Sequence, residues 1–115
     1  NNDDITIYGD GSQTRSFSYV DDTVNGILAL MKSEKYDVFN IGNPNEMSIT
    51  ELSSVILRLT DSKSKLVYED LPNDDPKQRR PDITKANEHL NWEPKVDLEE
   101  GLTLTIDWIK KELAK

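Results

Sequence analysis

Ile5-Thr6-Ile7-Tyr8-Gly9-Asp10-Gly11-Ser12-Gln13-Thr14-Arg15-Ser16-Phe17 is the stretch whose reading decides the fold. Its first four residues alternate with a period of two, which predicts a short strand. Gly9 and Gly11 then force a tight reversal, because glycine enters the positive-φ region without a Cβ penalty. Arg15 follows where the loop still faces outward, and packing requires no cation there. A helix begins near Asp21 or Asp22, either of which can cap it, and Val24, Ile27, Leu28 and Met31 form one stripe expected to be buried.

Beyond that helix the pattern keeps alternating. Phe17 to Val20 is read as a few further extended residues, and Val38-Phe39-Asn40-Ile41 as a strand closed by the turn cluster Gly42-Asn43-Pro44-Asn45. Ser48-Ile49-Thr50-Glu51 matches a capping box, and the helix it opens carries Ile49, Leu52, Val55, Ile56 and Leu59 on one face. Lys65 to Glu69 reads as another strand. A polar connector, Leu71 to Pro81, leads to Asp82 as cap of a short helix with Ile83, Ala86 and Leu90. Asn91-Trp92-Glu93-Pro94 breaks it. Asp97-Leu98-Glu99-Glu100 repeats the capping-box pattern, and the last helix is expected to bury Leu98, Leu102, Ile106, Ile109 and Leu113. The expectation is an α/β fold of about three short strands and four helices, thin for a complete sheet with two covered faces.

Composition bounds the function. The 115 residues are 35% hydrophobic with five glycines, below the ~45–50% typical of globular chains. That suits a modest core or a piece whose surface another part covers. A formal charge of −8 speaks against nucleic acid or an anionic membrane as partner. With no cysteine there is no disulfide, thiolate nucleophile or cysteine–zinc site. No apolar run approaches the ~20 residues of a membrane span, and Asn1-Asn2-Asp3-Asp4 does not read as a signal peptide.

Gly9-x-Gly11-x-x-Thr14 follows a strand, as a dinucleotide fingerprint does, but lacks the third glycine, the immediate helix and the later acidic residue. A turn presenting Arg15 accounts for it better. Arg79-Arg80 precedes a capped helix; it reads either as a solvated patch pairing with Asp74, Asp75 or Asp82, or as a second arm of an anion clamp. Arginine suits that role because its planar fork engages phosphate bidentately. Tyr8 reads equally as packing or as a ligand contact. His89 reads as a surface residue and Trp92 and Trp108 as core or boundary aromatics; no paired carboxylates call for acid–base work.

Taken together, several segments resemble one family. Ile5 to Asp22 is similar to the segment that extended short-chain dehydrogenase/reductases acting on nucleotide sugars carry after their catalytic core, and Phe39-Asn40-Ile41-Gly42-Asn43-Pro44 to their next strand. Asp74-Asp75-Pro76-Lys77-Gln78-Arg79-Arg80-Pro81-Asp82, with Leu90-Asn91-Trp92-Glu93-Pro94 and Leu98-Glu99-Glu100-Gly101-Leu102, resembles the UDP-glucuronate decarboxylases among them. The dTDP-glucose 4,6-dehydratases and UDP-hexose 4-epimerases share the first segment more than the last.

The resemblance implies the C-terminal, substrate-binding lobe of a Rossmann-type enzyme. The NAD-binding glycine motif and the catalytic Tyr-x-x-x-Lys pair lie upstream of the matched region, and none of Tyr8, Tyr19, Tyr36 or Tyr68 has a lysine four residues later. It therefore implies no catalytic, NAD-binding or metal-binding residue in these 115, and no activity for them alone. Carried over by position, Arg15 resembles the family's diphosphate-binding arginine, and Arg79 matches the first arginine of its Arg-Lys-Pro-Asp-like run, expected near the diphosphate or the sugar. Arg80 stands where a lysine is commoner, so either Arg79 or Arg80 is the inward-facing one. Ile7 and Tyr8 fall where uracil is held through backbone groups, and Gln13 and Asn43 are ribose or base contacts. The resemblance further implies NAD as cofactor, a UDP-sugar and an N-terminal half as partners, and a homodimer. It places the protein in the cytoplasm, or in the Golgi lumen if the full-length chain carries a membrane anchor. From outside this family, a free-standing binding module without catalysis also fits the incomplete sheet.

Overall fold

A computed structural model describes residues 1–115. In chain order it contains β1 (Ile5–Tyr8), β2 (Thr14–Ser16), α1 (Val20–Lys32), β3 (Glu46–Ser48), α2 (Ile49–Thr60), β4 (Leu66–Glu69), α3 (Thr84–Leu90) and α4 (Leu98–Leu113). The strands form two separate pairs. β1 runs parallel to β4 with Ile7 opposite Tyr68, and β2 antiparallel to β3 with Arg15 opposite Met47. The architecture is the mixed α/β one, with the four helices expected.

Local chemistry explains most boundaries. Gly9 and Gly11 sit at φ 81° and 80°, and a Cβ on Gly11 would overlap the Thr50 hydroxyl at the start of α2. The turn thus seats α2 directly over β1, where Ile7 is 1% exposed. Ser48 closes the capping box: its Oγ accepts from the Glu51 amide at 3.1 Å, and Glu51 Oε2 accepts from the Ser48 amide at 2.9 Å. Asp61 and Asn91, both left-handed, end α2 and α3. At α4, Asp97 accepts from the Glu100 amide, half of the expected box.

A second packing centre lies between α1 and α3. Gly26 lets Ile41 and the Trp92 ring approach α1, since an added Cβ would sit 2.6 Å from Ile41 Cγ2 and 3.1 Å from Trp92 Cε2. Ala86 is fully buried beside it. The radius of gyration is 16.7 Å and the thinnest axis 20 Å, whereas a compact chain of this length would have a radius near ~13 Å. Only 11 of 115 residues are buried. Two small centres, not one shared core, hold the fold.

Several expectations change. Val38–Ile41 and Phe17–Val20 form no strand, because neither run finds a ladder partner. β2 and β3, which replace them, are three-residue segments visible only once paired. The α1 N-cap is Tyr19, without a side-chain bond, and Asp22 lies inside the first turn and buried. The α1 stripe is not buried: Val24, Ile27, Leu28 and Met31 are 42–74% exposed. Asp82 caps nothing as an N-cap; it instead accepts the Thr84 amide and hydroxyl ahead of α3, whose N-cap is Ile83. Leu98, Leu102 and Ile106 are half-buried, but Trp108, Ile109 and Leu113 face solvent.

Candidate functional site

β2 is the base of the site. Arg15 lies at its centre, held against β3, and the connector after β4 docks on its other edge. The Thr14 amide donates to the Lys77 carbonyl at 2.9 Å, Thr14 bridges Gln78, and Ser16 Oγ donates to the Arg79 carbonyl. Gln78 Nε2 donates to both oxygens of Glu46 on β3. These ties carry Arg79 and Arg80 to the strand that carries Arg15. Arg15, Asn40, Arg79 and Arg80 therefore line one open groove of about 740 Å³, with Phe17 and Asp82. The two arginine motifs, far apart in sequence, converge.

Their commitments differ. Arg15 is 20% exposed; it donates to the Thr14 carbonyl at 2.7 Å and pairs with Asp75 at 2.5 Å. That leaves three of its five N–H donors uncommitted. Arg79 and Arg80 are exposed, and neither forms an ion pair. Asp82 shares the groove; hydrogen bonds from the Thr84 hydroxyl and amide, with the nearby Arg80 charge, hold its carboxyl below the usual range. At the glycine turn, the Ser12 hydroxyl and amide lower Asp10 in the same way. The groove is a positively charged site with room for a polyanion.

The other expected contacts fall differently. Ile7 is buried, and the parallel ladder, anchored by the Ile5 and Gly9 amides on β4, turns its backbone groups toward β4 as well. Tyr8 is half exposed, and its carbonyl accepts from Gln13 Nε2 at 2.5 Å. Gln13 is 8% exposed and ties the turn together: its own carbonyl also accepts the Ile49 amide. Asn43, equally buried, accepts the Asn45 amide and shapes its turn. Neither lines the arginine groove. Two residues were missed. Asn40 lines the groove and donates to the Asp82 carbonyl at 3.2 Å; a lone amide in an apolar run was its signal. Asp75, which the sequence offers as a partner for Arg79 or Arg80, pairs instead with Arg15.

The glycine turn does not suit a dinucleotide. Gly11 packs on Thr50 and Gly9 on Leu71, so the space that the missing Cβ atoms leave is filled by protein, and β2 rather than a helix follows. A pyrophosphate has neither the close backbone approach nor the helix N-terminus it would need. No group of residues able to hold a metal ion occurs.

Fold and groove together define a segment of an extended short-chain dehydrogenase/reductase. The family described as GDP-mannose 4,6 dehydratase matches residues 1–105, and the chain belongs to that family. It is 49% identical over 98 residues to UDP-glucuronic acid decarboxylase 1 of Arabidopsis thaliana, covering 85% of this chain and 22% of that protein. It is 49% identical over 109 residues to its Danio rerio namesake, covering 95% and 26%. Among solved structures, it is similar to the UDP-glucuronic acid 4-epimerase of Bacillus cereus in complex with UDP-glucuronic acid and NAD, at 33% identity and TM-score 0.89 over 96% of this chain and 36% of that one. The UDP-glucose 4-epimerase of Thermotoga maritima with UDP-glucose gives 38% and 0.92, over 97% and 36%. The chain thus spans about a quarter of those curated relatives and about a third of those structures.

Proposed function

We propose that these residues form the nucleotide-sugar-binding part of an NAD-dependent UDP-glucuronate decarboxylase, with Arg15 and Arg79 clamping the substrate diphosphate and Arg80 beside them. The observation that carries this reading is the convergence of Arg15 with two unpaired arginines in one groove. Guanidinium forks match phosphate oxygens bidentately, and two from separate segments fix a diphosphate in position as well as in charge. The decarboxylases and UDP-sugar-bound epimerases to which the chain is similar support the ligand class.

In the whole protein, bound NAD would supply reversible oxidation at sugar C4, the chemistry that loss of CO2 from the acid and formation of UDP-xylose require. These 115 residues lack its motif and the Tyr-x-x-x-Lys pair, so the proposed N-terminal half would hold the cofactor. What this chain contributes is position. Holding the diphosphate fixes the sugar relative to the reacting centre, and binding energy at that remote handle lowers the barrier elsewhere.

The half-exposed Tyr8, whose backbone amide lies on the edge of β1 away from β4, is the base contact we favour; its neighbour Ile7 is buried, Gln13 holds the Tyr8 carbonyl, and Asn43 shapes its own turn. The N-terminal half is the partner proposed for the exposed α1 stripe, with a homodimer and a cytoplasmic location for the whole. No helix is long and apolar enough to cross a membrane.

A second reading keeps the groove and changes the chemistry to 4-epimerisation or 4,6-dehydration, and the likeness to two epimerase structures favours considering it. Mass spectrometry of the products from UDP-glucuronate and the full-length protein decides between them. Loss of 44 mass units as CO2 is expected from the atoms of the proposed reaction; an isomer of unchanged mass would contradict the decarboxylase reading. These 115 residues alone are expected to release no CO2.

A further inference from the structure

Arg15 does not wait empty-handed. Its guanidinium is 2.5 Å from Asp75 Oδ1, and Asp75 is itself only 34% exposed. Asp75 belongs to a short span of the connector that is fixed at both ends. On one side Leu71 packs on the Gly9 backbone, where an added Cβ would lie 3.3 Å from Leu71 Cβ. On the other, the Lys77 carbonyl takes the Thr14 amide at 2.9 Å, and Gln78 is bound to Glu46. Between those anchors residues 72–76 hold only two bonds: the Asp75 amide to the Pro72 carbonyl at 3.2 Å, and the Asp75 carboxylate to Arg15.

From this arrangement we infer that Asp75 is a latch: its carboxylate occupies Arg15 until an incoming diphosphate displaces it, and residues 72–76 then lift as a strap while the Arg79 and Arg80 side of the groove stays fixed. The inference rests on the proposed anion site and adds its regulation. Asp75 takes one Nη2 donor of the fork, so a phosphate that engages the remaining donors bidentately lies beside that carboxylate, and their like charges repel at that distance. Arg79 and Arg80, having no carboxylate partner, offer the first contact; Arg15 is engaged second, in exchange for Asp75. The latch holds the Arg15 guanidinium in place, between Asp75 and the Thr14 carbonyl, in the free protein. It also places a fixed negative charge next to the bound ligand, which speeds release.

Calorimetric titration of UDP into the full-length protein and its D75N, D75A, R15A and R15A/D75N variants tests this. Removing one carboxylate from a partly exposed ion pair is expected to tighten UDP binding roughly twofold to fivefold in D75N and D75A. That gain should vanish in R15A/D75N, because the competition is for Arg15. Hydrogen exchange at the Asp75 amide should rise on adding UDP to the wild type and be raised already in D75N. Unchanged or weaker binding in D75N and D75A, with R15A still weaker than wild type, would overturn the latch and make Asp75 a support that positions Arg15. Unchanged binding in R15A would instead overturn the anion site itself, and the latch with it.

Discussion

Arg15 and Asp22 belong to the same short stretch of chain, yet their surroundings differ in kind. Asp22 is 4% exposed and spends both carboxylate oxygens on the backbone amides of Lys95 and Val96, at 3.1 and 3.0 Å, while its carbonyl accepts Trp92 Nε1. It draws the segment after α3 onto α1. Arg15 keeps donors in reserve, and the arginines beside it are unpaired. A polar group whose valences are all met by the fold holds structure together; one with valences left over, beside others like it, is equipped for a ligand. The two regions should therefore break in opposite ways.

The largest effect belongs to Asp22→Ala. It orphans the Lys95 and Val96 backbone amides while the Trp92 bond to the residue-22 carbonyl remains, so a stability loss of about 2–5 kcal/mol is expected in urea unfolding. A loss too small to measure would show that the seam stands without Asp22. Gly11→Ala comes next, combining a positive φ with an overlap at Thr50, and about 1–3 kcal/mol is expected by the same assay. Arg15→Ala should do the reverse of these: UDP affinity falls roughly tenfold or more, while the unfolding midpoint barely moves.

The fold was readable in the sequence where its causes are local. The Ser48 capping box needs only residues within one turn, and the two glycines announce their own reversal. Asp22 was misread as a cap because its true partners, Lys95 and Val96, come from the far end of the chain. β2 and β3 carry no strand signal of their own length; pairing makes them. The α1 stripe has the right period, but period says nothing of what covers a face. For the groove, arginine chemistry named Arg15, Arg79 and Arg80, whereas Asp75 and Asn40 needed coordinates. Gln13 and Asn43 turned out to be occupied by the turns they hold.

The smaller predictions concern charge at the surface. Asp10, Asp37, Asp82 and Glu99 are all held below their ordinary values, first by hydrogen bonds from Ser12, Lys85, Thr84 and Arg58 respectively. A carboxyl depressed in the folded state stabilises the fold above its unfolded value, near ~4, and that contribution fades as pH falls through the folded values. Tm should thus be flat near neutrality and decline below about pH 4; a rise on acidification would contradict the assignment. Smallest of all, Glu99→Gln removes a bidentate but exposed partner of Arg58, and no measurable change in Tm is expected.

The central claim is that two distant arginine segments act as one clamp. Calorimetric titration of UDP into the full-length protein and into its Arg15→Ala, Arg79→Ala double variant tests it most directly. The clamp predicts that the double variant loses UDP affinity by roughly a hundredfold or more, each charged contact being worth about tenfold, with the unfolding midpoint kept. Equal affinity in the two proteins would contradict it.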